Sequence, residues 1–170
     1  YLVNFLTQTE NELLYTSKDG VSTLFGKKCG RCDITNRRAV DNIVRDFRPD
    51  KIYHLAAQSL PNLSFDDPKN TLDINVYGSL NVFEAVLKYS MKSEIIIAST
   101  SAQYGDVDAT RVPVTEEHDF WPLQPYGVSK ACMEMLAYQM NKSHGLRYKA
   151  ARIFNTTGPR KKYDICNDFW

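Results

Sequence analysis

The sequence predicts an α/β fold in which a doubly wound parallel sheet carries helices on both faces. Segments with apolar residues at helical spacing alternate with short apolar segments along the 170-residue chain, as expected for such a fold. One short segment, residues 94–99, contains the apolar run IIIA, typical of a strand that is covered on both faces. Ligands of these sheets bind beyond the carboxyl ends of the strands, so we expect chemistry near residues 56–59, 99–105 and 155–160.

The elements can be placed in order from the N-terminus. Leu2, Phe5 and Leu6 have helical spacing and predict a first helix. The further predicted elements are a strand at 12–17, a loop at 18–30, a helix capped by Thr35 and ended by Pro49, a strand at 51–57, a long helix from Pro68, a strand at 94–99, a helix at 126–143 and a strand at 148–154. The sequence has no repeat and no low-complexity linker, which favours one domain.

The composition is that of a globular protein with almost no net charge. Hydrophobic residues make up 43% and charged residues 24%. The 21 basic residues balance the 20 acidic ones, so no net charge attracts nucleic acid or a membrane. The apolar runs are too short to cross a bilayer, and the N-terminus has no signal-peptide pattern. The four cysteines therefore indicate reduced thiols and a cytoplasmic location, and their spacing predicts no metal site.

Tyr126 and Lys130 stand four residues apart in the helix predicted at 126–143, so their side chains lie on one face. A phenol with its ordinary pKa of about 10 is a weak acid–base group at neutral pH, and a neighbouring ammonium lowers that pKa. The same spacing also fits an ordinary surface pair. Met133 and Ala137 share this face. We expect the helix to pack through a different face, formed by Cys132, Met135 and Leu136.

The segment STSAQYG (residues 99–105) brings hydroxyl groups to the ligand-binding edge of the predicted sheet. A cluster of serine and threonine after a strand more often forms only a turn. Together with Tyr126 and Lys130, however, Thr100 completes a group of three side chains suited to chemistry on a substrate oxygen.

Six segments resemble, in order, the sequence blocks of the extended short-chain dehydrogenase/reductase family. They are CDIT (32–35), HLAAQS (54–59), NVYGSLNVFEA (75–85), STSAQYG (99–105), PYGVSK (125–130) and RIFNTTGP (152–159). Each block alone is a weak signal, whereas six in order are specific. The sequence is most similar to the NAD-dependent epimerase/dehydratase branch, and within it to GDP-4-keto-6-deoxy-mannose reductases and GDP-mannose 4,6-dehydratase. The resemblance implies a Rossmann-like NAD(P)-binding domain that acts on a nucleotide sugar.

The resemblance also implies a role for each matching residue. Tyr126 would be the acid–base group, Lys130 would lower its pKa and bind the nicotinamide ribose, and Thr100 would hydrogen-bond the reacting oxygen. The implied cofactor-binding residues are Asp33, Ile34, Leu55, Ala56, Ala57, Ser99, Tyr126, Lys130 and Phe154. The implied substrate-binding residues are Ser101, Asn155 and Arg160.

Ala102 departs from the pattern of the sugar 4,6-dehydratases, which carry an acidic residue at this position. Eliminating water needs a base and an acid, so we expect a 4-reductase or an epimerase, with a 4,6-dehydratase as the alternative. The family's first strand and Gly-rich loop would precede residue 1. We therefore expect residues 1–160 to be a partial cofactor domain, residues 161–170 to begin a substrate lobe, and the chain to be truncated at both ends. The lack of that loop motivates a further alternative, a non-catalytic relative.

The cofactor and the partners follow from the same resemblance. Ser17, Lys18 and Asp19 stand where an acid favours NAD and a base favours NADP. We expect NADP or NAD, with NADP slightly favoured. The expected partners are a nucleoside-diphosphate sugar and further copies of the chain, as a homodimer or higher homo-oligomer.

Overall fold

The computed structural model describes residues 2–20, 23–24 and 27–156, in which helices and strands alternate. The helices are α1 (Leu2–Leu6), α2 (Arg37–Phe47), α3 (Pro61–Asp66), α4 (Pro68–Leu72), α5 (Ser79–Tyr89) and α6 (Pro125–His144). The strands are β1 (Thr16–Ser17), β2 (Thr23–Leu24), β3 (Lys27–Lys28), β4 (Gly30–Arg31), β5 (Lys51–His54), β6 (Glu94–Thr100) and β7 (Arg147–Ile153). A π-helical segment, Asp73–Gly78, joins α4 to α5, and 3₁₀ turns occupy Ser101–Gln103 and Ala109–Arg111.

The centre of the fold is a parallel three-stranded sheet in the order β5–β6–β7. β6 is the middle strand, and its Ile97 lies opposite His54 of β5 and Ala150 of β7. β1 and β4 form a separate parallel pair, and β2 and β3 form an antiparallel hairpin. Parallel strands joined through helices confirm the predicted α/β class.

The core lies between this sheet and the helices that pack against it. Ile95 and Ile97 of β6 are completely buried, whereas Ile96 and Ala98 are only half-buried. The strand is thus fully covered on one face and only partly on the other, so the predicted cover on both faces is incomplete. The helical side of the core is formed by Val40 and Val44 of α2, Phe83, Ala85 and Val86 of α5, and Met133, Ala137 and Met140 of α6. The carboxyl end of β6 lies against α6, where Ala98 and Ser99 bond to Lys130 and Glu134.

The face of α6 that enters the core is not the predicted one. Met133 is 1% exposed and Ala137 is completely buried, on the face of Lys130, whereas Met135 is 62% exposed. The prediction that this helix packs through the face of Met135 is therefore wrong. The physical reason is that the aliphatic stem of a lysine can be buried when its ammonium finds an oxygen, and Lys130 Nζ donates to the Ala98 carbonyl at 2.8 Å.

The N-cap of α2 also differs from the prediction. Asn36 caps the helix, because its side chain accepts a hydrogen bond from the Ala39 N–H at 3.2 Å. Thr35 is already engaged, since its N–H and its hydroxyl both donate to Asp33 Oδ1. Thr35 therefore belongs to the turn before the helix, and the next residue takes the capping position.

Further boundaries shift in the first half of the chain. The strand predicted at 12–17 forms only over Thr16–Ser17, and the loop predicted at 18–30 contains the β2–β3 hairpin. The additional helix α3 begins at Pro61, in the first helical position, where a missing N–H costs no hydrogen bond. The helix predicted from Pro68 is confirmed and continues through the π-helical segment into α5.

The helices have the length and polarity of a globular protein. α6, with 20 residues, includes the charged residues Lys130, Glu134 and Lys142. Across the ranges that the structure describes, no helix is long and apolar enough to cross a membrane.

Candidate active site

Two elements bring the predicted catalytic residues together, the carboxyl end of β6 and the first turns of α6. Thr100 is the last residue of β6, and Tyr126 and Lys130 lie near the start of α6. Gln124 precedes the helix in an extended conformation, and Pro125 occupies the first helical position. The Thr100 hydroxyl lies close enough to the Tyr126 phenol to lower its pKa. The structure thus brings the three predicted side chains to one place at the sheet edge.

Lys130 is almost completely buried, with 3% of its surface exposed. Its Nζ donates to the Ala98 carbonyl at 2.8 Å and lies 6.0 Å from the centre of the Tyr126 ring. Burial disfavours the charged ammonium and lowers the pKa of Lys130 to about 8. An ammonium carries three N–H donors, and the bond to Ala98 uses one of them.

Tyr126 is half-buried, and this burial raises its pKa above the ordinary value. The neighbouring Thr100 hydroxyl acts in the opposite direction but is the smaller effect. The lowering of the Tyr126 pKa by Lys130, which the sequence led us to expect, is not found in this geometry. The Lys130 ammonium is directed to the Ala98 carbonyl, so the phenol remains protonated at neutral pH.

Gly127 allows the start of α6 to lie directly against the turn that follows Thr100. A Cβ atom at this position would lie 2.7 Å from the Ala102 carbonyl oxygen and 2.9 Å from Pro122 Cβ. Both distances are well below van der Waals contact, so a side chain here would push the helix and the turn apart.

A group of residues that are uncharged at neutral pH, termed the amide network, holds α6 from one side. Its members are His54, Gln58, Asn75, Ser79 and Ser129. Asn75 Nδ2 donates to Ser129 Oγ at 2.9 Å and to the Gln58 carbonyl at 3.0 Å, and Asn75 Oδ1 accepts from the Gln58 N–H at 2.8 Å. Ser129 Oγ donates in turn to the Tyr126 carbonyl at 2.7 Å. The backbone of Tyr126 is thereby fixed to the segment that follows β5.

His54 lies at the end of the amide network, at the carboxyl end of β5. Its Nε2 is 2.8 Å from Ser79 Oγ, and the Ser79 hydroxyl donates to the Asn75 carbonyl at 2.6 Å. Because a hydroxyl has a single proton, His54 must be the donor through Nε2–H. Burial, and to a lesser extent the charge of Lys130, lowers the pKa of His54 to about 4, so the ring is neutral.

A second group of side chains, termed the ion-pair network, holds the same helix from β6 and β7. Its members are Ser99, Gln103, Tyr104, Glu134 and Arg152. Glu134 Oε1 accepts from Arg152 Nε at 3.0 Å and from Nη2 at 2.6 Å. Glu134 Oε2 accepts from Gln103 Nε2 at 3.2 Å and lies 2.9 Å from Ser99 Oγ.

The sequence reasoning missed four members of this network, Gln103, Tyr104, Glu134 and Arg152. One signal could have found Glu134, because it follows Lys130 by one helical turn and therefore shares its face. A carboxylate on a buried face requires a partner. The identity of that partner depends on how β7 packs against α6, which the sequence pattern does not give.

Asp33 and Ile34, predicted to hold the cofactor, follow β4. Hydrogen bonds from Thr35 lower the pKa of Asp33, and Lys18 Nζ lies 3.6 Å from its Oδ2. Ile34 packs against Gly78, where an added Cβ would lie 2.7 Å from Ile34 Cδ1. Asp33 is thus a paired carboxylate near the surface, and Ile34 contributes to packing.

The other predicted ligand-binding residues in the described part of the chain lie at or just beyond the carboxyl ends of β5, β6 and β7. Six of them are exposed or half-buried: Leu55, Ala56, Ala57, Ser101, Phe154 and Asn155. Ser99 is 4% exposed, and its hydroxyl is engaged with Glu134 and Gln103. Arg160 lies outside the described residues. Within the described part of the chain, no three histidine, cysteine or acidic residues are grouped so that they could hold a metal ion.

The fold and this site together have the arrangement of a short-chain dehydrogenase/reductase, with a tyrosine, a lysine and a threonine at the carboxyl edge of a parallel sheet. Comparison with known families agrees, since the model described as GDP-mannose 4,6 dehydratase matches residues 9–168. The chain therefore belongs to the extended short-chain dehydrogenase/reductase family, in its epimerase/dehydratase branch.

Two curated relatives illustrate the similarity in sequence. GDP-6-deoxy-D-mannose reductase of Pseudomonas aeruginosa is 37% identical over 114 residues, which are 67% of this chain and 38% of that protein. GDP-mannose 4,6-dehydratase of Yersinia enterocolitica is 33% identical over 131 residues, which are 76% of this chain and 35% of that protein. The chain thus spans little more than a third of the length of these relatives.

Two solved structures illustrate the similarity in fold. UDP-glucose 4-epimerase of Thermus thermophilus, in complex with NAD, matches 95% of this chain with a TM-score of 0.87 and 29% identity, over 53% of its own chain. RMD from Pseudomonas aeruginosa, complexed with NADPH, matches 79% of this chain with a TM-score of 0.74 and 32% identity, over 45% of its own chain.

Proposed function

We propose that the protein is an NAD(P)-dependent nucleotide-sugar reductase or epimerase in which Tyr126 is the acid–base group. The observation that carries this proposal is the cluster of Thr100, Tyr126 and Lys130 at the edge where ligands of parallel sheets bind. The names of the relatives support the substrate class, because they include a GDP-sugar reductase, a GDP-mannose dehydratase and a UDP-glucose epimerase.

The side chains at the sheet edge have the chemistry to hold a nicotinamide dinucleotide. Asp33 offers a carboxylate that can accept hydrogen bonds, and the exposed residues Leu55 and Ala56 offer apolar surface. Lys130 uses one N–H on the Ala98 carbonyl, and its other donors suit the hydroxyls of a ribose. When bound, the cofactor supplies or accepts the hydride. Two of the similar structures hold NADPH and NAD.

NADP is the cofactor that we favour. Lys18 follows β1, where a basic residue suits the 2′-phosphate. Its side chain is 72% exposed and lies 3.6 Å from Asp33, a separation typical of a weak surface pair. The Lys18 ammonium is therefore accessible to an added phosphate.

The chain's own residues handle the proton of the reaction. In the reductive direction, Tyr126 donates its phenolic proton to the carbonyl oxygen of a keto sugar while the carbonyl carbon receives the hydride. The raised pKa of Tyr126 keeps the proton on the phenol at neutral pH, so its transfer depends on stabilising the phenolate that forms. Thr100 hydrogen-bonds the same oxygen and orients it toward the phenol. The Lys130 ammonium then stabilises the phenolate until a proton from solvent replaces the one transferred.

A nucleotide-sugar 4,6-dehydratase is the less favoured candidate. Ala102 occupies the position at which those enzymes carry an acidic residue. The carboxylate whose contacts reach this turn belongs to Glu134, and it already accepts hydrogen bonds from Arg152 and Gln103. A dehydratase would therefore have to recruit another carboxylate.

The proposal extends to the organisation of the protein. We assign residues 1–160 to the cofactor-binding part and residues 161–170 to the start of a substrate lobe, in a cytoplasmic protein. We also infer a homodimer or higher homo-oligomer. Exposed apolar side chains on α3 and α6 support this inference, namely Leu63, Phe65, Val128 and Met135.

Replacing Tyr126 with Phe tests the proposed function. This change removes the proton donor and keeps the ring, so the complete protein should lose turnover by about 1,000-fold and retain NADPH binding. Turnover is measured as oxidation of NADPH with a GDP-4-keto-6-deoxy-hexose, and binding by cofactor fluorescence. Tyr138→Phe is the matched control, because Tyr138 is 57% exposed on the same helix, and both properties should stay unchanged.

Three other results would contradict the proposal or favour one of the alternative functions. Full turnover in the Tyr126→Phe variant would contradict the acid–base assignment. Formation of a 4-keto-6-deoxy sugar from GDP-mannose and NADP would identify a dehydratase instead. A complete protein that binds neither NADPH nor NADH would be a non-catalytic relative.

A further inference from the structure

The carboxylate of Glu134 is saturated with hydrogen bonds in a nearly buried position. It is 7% exposed, and its two oxygens contact Arg152 Nε, Arg152 Nη2, Gln103 Nε2 and Ser99 Oγ. A carboxylate offers about four acceptor sites, so little capacity remains for a further donor. Burial by itself would raise the pKa of Glu134, but the hydrogen bonds from Arg152, Gln103 and Ser99 hold it below its ordinary value. Glu134 is therefore a fixed anion and not a proton-transfer group.

Arg152 extends the network from β7 to the loop that follows the Ser101–Gln103 turn. Its Nη1 donates to the Tyr104 hydroxyl at 2.9 Å and to the Glu116 carbonyl at 2.5 Å. The guanidinium also lies 4.6 Å from the centre of the Phe120 ring, within range of a cation–π interaction. One side chain thus connects α6, β7 and two points of this loop.

Each segment that carries a proposed catalytic or substrate-binding residue contains a member of this network. Ser99 directly precedes Thr100, and Gln103 lies in the turn directly after it. Glu134 is on the helix of Tyr126 and Lys130, one turn beyond Lys130. Arg152 precedes Phe154 and Asn155 on the strand β7 and its extension. The network therefore connects the backbones that hold the reacting groups without contributing a reacting group itself.

We propose that Glu134 and Arg152 are positioning residues that hold the Thr100 hydroxyl at the right distance and orientation relative to Tyr126 and Lys130. This inference rests on the proposed function. A buried ion pair is a poor source of stability compared with apolar side chains of the same volume, so stability alone does not explain the pair. Positioning does, because a displacement of about 1 Å in a reacting group can reduce a rate by about 100-fold.

Two substitutions in the complete protein test the proposal. Glu134→Gln keeps the shape of the side chain and removes its charge. Arg152→Lys keeps the positive charge and removes the pair of hydrogen bonds from Nε and Nη2 to Glu134. Each should lower kcat by about 10- to 100-fold while the KM values for NADPH and the keto sugar change by less than about 3-fold. Each should also raise the kinetic isotope effect measured with NADPH deuterated at the transferred position, because hydride transfer becomes slower than product release.

The control breaks a different ion pair, one that joins β7 to β6 instead of to α6. Lys149 of β7 and Glu94 of β6 are 3.2 Å apart at the opposite end of the sheet. Glu94→Gln should leave kcat and the isotope effect unchanged. If Glu134→Gln also leaves both unchanged per folded molecule, even with a lower melting temperature, the pair is only structural and the proposal is overturned.

A third variant keeps the proposal testable if the first two fail to fold. Ser99→Ala removes a single hydroxyl next to Thr100 and should lower kcat by about 3- to 10-fold with the same rise in the isotope effect. An unchanged kcat in this variant would overturn the proposal. The Tyr126→Phe variant keeps the two hypotheses separate. Its activity tests the proposed function, whereas the Glu134 and Arg152 variants test only whether these residues position the reacting groups.

Discussion

The amide network and the ion-pair network fix the same helix by different physical means. Asn75 and Ser129 of the amide network are completely buried and uncharged. The ion-pair network carries full charges, and the side chain of Arg152 is 18% exposed. A neutral amide can be buried at little cost once its donors and acceptors are paired, whereas a charge is costly to remove from water. The difference teaches that one side of α6 is held by groups that are uncharged at neutral pH and another side by groups that carry full charges.

Breaking the ion-pair network at one partner should have the largest effect on stability. Arg152→Met leaves the Glu134 carboxylate nearly buried without its cation and should lower the free energy of unfolding by about 4 to 5 kcal/mol. Replacing both partners, as Glu134→Leu with Arg152→Met, should recover most of this loss because no charge is left unpaired. Denaturant titration at one pH measures all three proteins. A double variant as unstable as Arg152→Met would contradict the assignment of the cost to the unpaired charge.

Breaking the amide network should lower the free energy of unfolding slightly less than Arg152→Met does. In this network, however, no second substitution should restore the lost stability. Asn75→Ala removes three hydrogen bonds, two of them to the backbone of Gln58, and should lower the free energy of unfolding by about 4 kcal/mol. The backbone partners cannot be removed by mutation. Asn81→Ala is the control, since Asn81 is half-buried and bonds to the Ile34 carbonyl at 2.9 Å, and about 1 kcal/mol is expected. If Asn75→Ala and Asn81→Ala lowered the free energy of unfolding by the same amount, the amide network would be no more important for stability than a single half-buried hydrogen bond.

The pH dependence of stability should reveal the one member of the amide network that can ionise. His54 has a folded-state pKa of about 4 against an ordinary value of 6.5. Between these pH values the unfolded chain binds a proton that the folded chain does not, so stability should fall by about 3 kcal/mol as pH drops from 6.5 to 4. His54→Gln retains an N–H donor for Ser79 and should lose this part of the pH dependence.

His118→Gln is the control for that measurement, because His118 lies in the loop beyond Tyr104 and away from the amide network. Urea titrations at several pH values between 4 and 7 give the comparison. Parallel stability curves for the natural protein and the His54→Gln variant would show that His54 is not the group that titrates.

Much of the site could be predicted from the sequence because it depends on local pattern. The strand predicted at 94–99 forms as Glu94–Thr100, and the helix predicted at 126–143 forms as Pro125–His144. A run of apolar residues and a proline-started helix determine these elements with little influence from the rest of the chain. The meeting of Thr100 with Tyr126 then follows from the rule that ligands bind at the carboxyl edge.

The remainder could not be predicted because it depends on tertiary packing. The buried face of α6 contains Lys130 and Glu134, which any hydropathy pattern assigns to solvent. Glu134 contacts Arg152, 18 residues further along the chain, across the packing of a helix on a strand. Such contacts become visible only when each buried charge is matched with its partner in three dimensions.

The close approach at Gly127 has a consequence for how the chemistry of this site can change. The atom of Ala102 that lies against the glycine is the carbonyl oxygen, and every amino acid has the same carbonyl. The spacing between helix and turn is therefore independent of which side chain stands at position 102. Substitution at that position can introduce or remove a carboxylate, and with it a reaction type, while the tyrosine and the threonine keep their separation.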